Sequence, residues 1–258
     1  MDPISASLHA LRTPELRDLQ ARYAPWGFAW WAGQGLVYFG WQQGQEGLLF
    51  GGLPLLVAGT LGGLGVQARA IGVATGSRPG FPAVLGMTIV VNLAFQVIAA
   101  ILGAVGAVLV TGLGAFFYRE EDALMAVIPT AVLLGFVLMG AWSGIWGLAV
   151  AGLGRGGFGQ ALTGALGSTS NAIGLGVRWV AWWTVCFFAL LAVSDLSANY
   201  RGSDSIGFFL LVAILSPHFA IAFIVYVAAH LPEAAPVPVP VPETRDARQP
   251  VDLASDVR

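Results

Sequence analysis

The chain has 258 residues, of which 57% are hydrophobic and only 10% charged, with a formal net charge of −2; mean hydropathy is +0.76. Soluble globular domains carry roughly 25% charged residues, and disordered chains are poor in apolar ones, so both classes are excluded. With 12 basic against 14 acidic residues there is no basic surplus for a nucleic-acid partner. What remains is an all-α, polytopic helical transmembrane bundle.

Every basic residue is arginine, so no lysine is present to form a Schiff base. One cysteine, Cys186, excludes an intramolecular disulfide.

Residues 1–25 are polar and mixed in charge. Thr13 before Pro14 and Glu15 reads as an N-cap with proline at the first helical position. Leu16, Leu19 and Tyr23 then recur at helical spacing opposite Arg17, Asp18 and Arg22, which predicts a short amphipathic helix on the membrane surface. No basic start followed by an apolar core marks this segment as a signal peptide.

Residues 26–230 hold six apolar runs, expected to form the bundle: Trp26–Trp41, Leu48–Val66, Ala83–Phe117, Ala123–Leu153, Arg178–Val193 and Ile206–His230. A span needs about 20 residues. The third run has no polar turn at which to reverse, so it is read as one long tilted helix. With the N-terminus inside and strict alternation, Arg12, Arg17, Arg22, Arg69, Arg78, Arg155, Arg178, Arg245, Arg248 and Arg258 fall on the cytoplasmic side. Only Arg119 and Arg201 fall outside. This bias predicts six spans, N-in and C-in, in a bacterial cytoplasmic (inner) membrane. Five spans follow instead if Trp26–Trp41 lies in the interface. In residues 231–258, prolines 236, 238, 240 and 242 alternate with valine, which prevents a helix and predicts a disordered cytoplasmic tail.

Several residues stand out. Ala99, Gly103, Ala107, Thr111 and Ala115 form a small-residue ladder at every fourth position, and Gly59/Gly63 and Gly140/Gly144 are GxxxG pairs. Such stripes let helices approach closely, within the chain or between copies. Asn92 and Gln96 share a helical face inside the third run. His218 follows Pro217, which removes the donor to the Ala213 carbonyl. These three form the candidate intramembrane polar site, either bonding between helices or lining a path. Trp179, Trp182 and Trp183 stand beside Arg178 and read as interfacial anchors, whereas Trp142 and Trp146 read as deeper packing residues. Glu120, Glu121 and Asp122 could gather a cation but read as a solvated loop. No zinc-protease, serine-hydrolase or Walker signature is present, so no catalytic, cofactor or metal site is expected.

The stretch GIWGLAVAGLGRGGFGQALTGALGSTSNAIGLG (Gly144–Gly176) resembles a feature of bacterial Yip1-like membrane proteins. In these a span ends in a Gly/Arg motif, here Gly154, Arg155, Gly156, Gly157 and Phe158, followed by a polar helix leading to the next span. The likeness covers the C-terminal half; six spans rather than five, and no proline near Ser168–Ser170, are departures from the family pattern. The resemblance implies a helical bundle acting by protein or lipid association.

Two functions follow as expectations. One is a non-enzymatic membrane protein working by association with lipids, with a membrane-protein partner or with further copies of itself, as a scaffold or complex subunit. The alternative is a transporter, channel or permease subunit for a small solute, using the polar residues of spans three and six. A path predicts that Asn92, Gln96 and His218 converge on a cavity; a scaffold predicts a dry core.

Overall fold

The computed structural model describes residues 1–114, 120–197 and 204–231; side chains are described for most of these, but not for 107, 109–130, 190, 191, 193–197 or 204–211. Among the described residues all regular structure is helical: α1 (Pro3–Arg12), α2 (Pro14–Gln43), α3 (Glu46–Thr75), α4 (Phe81–Gly114), α5 (Glu120–Gly152), α6 (Phe158–Gly167), α7 (Thr169–Ser197) and α8 (Asp204–Ala228). Among the described residues four helices are long and apolar enough to cross a membrane, through Glu46–Thr75, Phe81–Gly106, Ala131–Gly152 and Thr169–Ala189. The chain is therefore a helical membrane protein by composition and by helix length. The part of α8 whose side chains are described, Val212–Ala228, is apolar but shorter.

Helix ends follow local chemistry. Asp2 caps α1: its carboxylate accepts the Ser5 N–H at 2.8 Å and the Ser5 hydroxyl at 2.7 Å, with Pro3 in the first turn. The α2–α3 and α3–α4 turns pass through Gly44 (φ 64°) and Gly76 (φ 78°), left-handed positions that glycine occupies without strain.

The amino-terminal segment differs from its reading as one short surface helix. α1 is an additional helix, and α2 runs without a break from Pro14 through Pro25 to Gln43. Leu16 and Leu19 are buried, so the face expected on lipid is covered by protein. Residues 232–258, assigned to a disordered tail, lie outside the described residues.

The long helices alternate in direction, and glycines set several crossings. On the α2–α3 hairpin, a Cβ at Gly33 would stand 2.8 Å from the Gly52 carbonyl oxygen, and one at Gly59 2.6 Å from the Trp30 nitrogen. On the α5–α7 seam, a Cβ at Gly140 would stand 2.9 Å from the Val177 Cα, and one at Gly144 would overlie the Ala172 carbonyl. These approaches exist only because the hydrogen of glycine takes the place of a side chain.

The bundle is packed at one end and splayed at the other. At the packed end the core joins Leu16, Ile71, Val84, Met87, Val150, Ile224 and Tyr226, drawn from α2, α3, α4, α5 and α8. The Gly154–Phe158 turn sits here: a Cβ at Gly154 would reach Ile71 and the Ser77 carbonyl, and Arg155 donates to the Leu231 carbonyl at 3.2 Å. Towards the other end Leu93, Val97, Ile101 and Val105 of α4 and Val132, Leu133 and Leu134 of α5 are exposed. An exposed surface this apolar suits hydrocarbon rather than water.

Candidate functional site: a tryptophan-lined cavity between two helix groups

Above the packed core the helices diverge into two groups. α2 packs on α1, α3 and α8, while α5 packs on both α4 and α7. Among the described residues α2 does not pack against α4, α5 or α7, although it faces the same space. That space is a cavity of about 720 Å³, in the size range of drug-sized ligand sites.

Six of the nine tryptophans line it: Trp30, Trp31, Trp142, Trp146, Trp179 and Trp183. Their rings are held by one another and by phenylalanines. Trp142 stacks on Trp146 (6.1 Å between centroids), which stacks on Phe223 (5.9 Å). Trp179 meets Phe223 at 5.2 Å and Tyr226 at 5.5 Å, and Trp183 meets Phe219 at 5.2 Å. Aromatic contacts of this kind fix ring orientation as well as burying area. The wall is therefore largely flat and preorganised.

Two tryptophans are also tied to α4 by their ring N–H groups. Trp142 Nε1 donates to Asn92 Oδ1 at 3.0 Å, and Trp146 Nε1 donates to Thr88 Oγ1 at 3.0 Å. Asn92 Nδ2 donates in turn to the Thr88 carbonyl at 2.8 Å, and Thr88 Oγ1 donates to the Val84 carbonyl at 2.9 Å. Residues 88 and 92 are one turn apart on α4, and 142 and 146 one turn apart on the antiparallel α5, so the pairs register. This polar ladder clamps α4 to α5 beside the cavity.

The polar candidates separate. Asn92 lines the cavity, whereas Gln96, one turn further along the diverging α4, is exposed. His218 lies outside the lining; its Nδ1 is buried without a hydrogen-bond partner, and its ring is 5.7 Å from Phe219. Its neighbour Ser216 does face the cavity and donates to the Ala213 carbonyl at 3.0 Å, the acceptor that Pro217 leaves without its helical donor. The three residues of the expected polar site thus do not converge.

The tryptophans of α7 also depart from their reading as interfacial anchors. Trp179 is 5% exposed and turned into the ring cluster, and Trp183 lines the cavity. Trp182 packs partly buried against the core, with its Nε1 buried and unpaired. Gly59 and Gly63 line the cavity and Gly140 and Gly144 lie on the α5–α7 seam. Of the α4 ladder, Ala99 and Gly103 are exposed, and a Cβ on Gly103 would meet no described atom within 4 Å. The side chains of Ala107, Thr111, Ala115, Glu120, Glu121 and Asp122 lie outside the described residues.

Sequence reasoning missed Gln67, which is 9% exposed and lines the cavity with its Oε1 lacking a hydrogen-bond partner. The signal was present: Gly59, Gly63 and Gln67 stand four apart on one face of α3. Among the described residues no Asp, Glu, Arg or His lines the cavity. Among the described residues no three His, Cys, Asp or Glu side chains come together as a metal site. No protein-family model, curated protein or solved structure matches the chain.

Proposed function

We propose that this chain is a non-enzymatic integral membrane protein that holds a small, uncharged, lipid-soluble solute between its helices, as the binding unit of a transporter or permease. The observation that carries this reading is the cavity of about 720 Å³ walled by six tryptophans, with no Asp, Glu, Arg or His among its described lining residues. Apolar ring walls with a few placed polar groups are the usual make-up of ligand sites. Removing a charged solute from water into such walls would cost more than ring contacts return. The proposal includes six crossings with both termini cytoplasmic, in a bacterial inner membrane. The arginines of α1, α2, the α3–α4 turn and the α5–α7 region lie at the packed end, which supports that orientation.

The test is binding of N-phenyl-1-naphthylamine, an uncharged fluorophore, to the protein in lipid nanodiscs, read by energy transfer from tryptophan. Saturable binding beyond partitioning into empty nanodiscs is expected. Thr60→Trp fills the cavity from an exposed position on α3 and should abolish it. Transfer that never saturates, or that Thr60→Trp leaves unchanged, refutes the reading.

A second reading is association, with the Yip1-like resemblance as its background. The exposed, uncrowded Ala99 and Gly103 on α4 favour it, because small residues on an outward face admit another helix. Stoichiometric co-purification of a partner in mild detergent, lost with Gly103→Leu, would carry that reading instead.

A further inference from the structure

Resting on the cavity reading above, we infer that the solute is a ring-bearing amphiphile with one hydroxyl or N–H donor, seated with that donor against Gln67 at the packed end. Three observations lead there. First, the walls are indole and phenyl faces, held in register by ring contacts at 5.2–6.1 Å. Flat, rigid faces reward a flat, rigid body over a flexible acyl chain, which loses more conformational freedom on ordering. Second, Gln67 lies at the packed end of the cavity, one turn beyond Gly63 towards the core around Ile71. An occupant that carries its polar group at that end meets it.

Third, Gln67 leaves a specific need. Its Oε1 is buried with no donor, although its residue lies on the cavity wall. A buried acceptor left unpaired is costly, and a partner that supplies the missing proton recovers that cost. Thr88, Ser143, Thr184 and Ser216 each donate to a carbonyl of their own helix, at 2.8–3.1 Å. The Tyr23 and Thr60 hydroxyls, also in the lining, make no bond to Gln67 Oε1. The ring N–H groups of Trp142 and Trp146 are spent on Asn92 and Thr88. A donor carried in by the solute fits the vacancy. None of the described lining residues is Asp, Glu, Arg or His, so they offer no anchoring ion pair, and the solute is neutral.

The matched probes are 2-naphthol, which has one hydroxyl donor and stays protonated at pH 7, and 2-methoxynaphthalene, which has the same rings and no donor. Each is titrated into nanodiscs containing the full chain, and affinities are corrected for partitioning into empty nanodiscs. The expected result is binding of 2-naphthol about fivefold tighter than 2-methoxynaphthalene, the factor one hydrogen bond supplies. Gln67→Met conserves volume and should erase that preference while leaving 2-methoxynaphthalene binding unchanged. Gln67→Asn, which keeps the amide on a shorter stem, should retain part of it. Retained binding of 2-methoxynaphthalene shows that each variant is folded. Equal affinities in the wild type, the outcome if a trapped water already pairs with Gln67, overturn the inference and leave the cavity reading standing. A preference that survives Gln67→Met also overturns it. If neither probe binds saturably, the cavity reading and this inference fall together.

Discussion

Gly144→Ala adds one methyl group at the point where α5 lies closest to α7. The new Cβ would overlie the Ala172 carbonyl oxygen, stand 2.6 Å from its carbon and 3.1 Å from the Gly176 nitrogen. All three are backbone atoms, so no side chain can rotate aside and the two helices must part. The separation also loosens the neighbouring contact of Gly140 with Val177, and it draws on the Trp142, Trp146 and Trp179 cluster carried by the same helices. Overpacking of this kind costs about 1–3 kcal/mol. Alanine returns about 0.5–1 kcal/mol of helix propensity. The net expectation is destabilisation by about 1–2 kcal/mol, or a midpoint lowered by about 2–8 °C for a chain of this size. Gly103→Ala is the control: it gains the same propensity, and its Cβ meets open space, so it should be neutral or stabilising. Thermal unfolding of both variants in detergent, followed by tryptophan emission, makes the comparison. If Gly144→Ala is as stable as Gly103→Ala, the glycine seam does not set the α5–α7 packing.

Three further outcomes are expected. In a double-mutant cycle of Trp142→Phe and Asn92→Ala, the coupling should be about 0.6–1.7 kcal/mol, the range for polar contacts between membrane helices; zero coupling would dissolve the ladder between α4 and α5. Ser216→Ala removes the hydroxyl that occupies the Ala213 carbonyl, and should cost about 1 kcal/mol, read by the same unfolding assay. Asp2 lies outside the spans, and the hydrogen bonds from Ser5 hold its pKa below the usual 3.8. A carboxylate with a lowered folded pKa lends its stability above the unfolded value and loses it as pH falls through the folded one. Fraying of α1 should therefore set in below pH 3.8, and Ser5→Ala, which keeps the backbone bond but removes the hydroxyl, should raise the Asp2 pKa part of the way towards 3.8 by NMR titration; an unmoved Asp2 would show that the hydroxyl bond does not form.

The helices were legible in the sequence where length and turn chemistry decide them. The third run, with no polar reversal, is one helix from Phe81 to Gly114 as far as it is described, and the other five runs each fall on one long helix, the fourth and sixth overrunning its end by one or two residues. α1 was missed although Asp2–Pro3 with Ser5 is a cap signal, because the two residues before the helix give no apolar period to notice. The site was hidden for a different reason. In a membrane helix apolar residues surround the whole circumference, so periodicity no longer says which face is inside. Trp179 and Trp183 beside Arg178 looked like headgroup anchors, since aromatic residues near a basic one mark an interface. Their true neighbours, Phe219, Phe223 and Tyr226, are some forty residues downstream and belong to an antiparallel helix. The same limit parts Asn92 from Gln96. Both lie on one face of α4, but α4 leaves α5 between them, so one amide meets Trp142 and the other is exposed. A cavity is a property of how helices diverge, and divergence is set by where glycines let them touch. On α3 both are written on one stripe: Gly59 admits the backbone of α2, Gly63 admits the Tyr23 ring, and Gln67 places an unpaired amide oxygen at the floor. Three residues at helical spacing thus close the packing below and set the polarity of the space above.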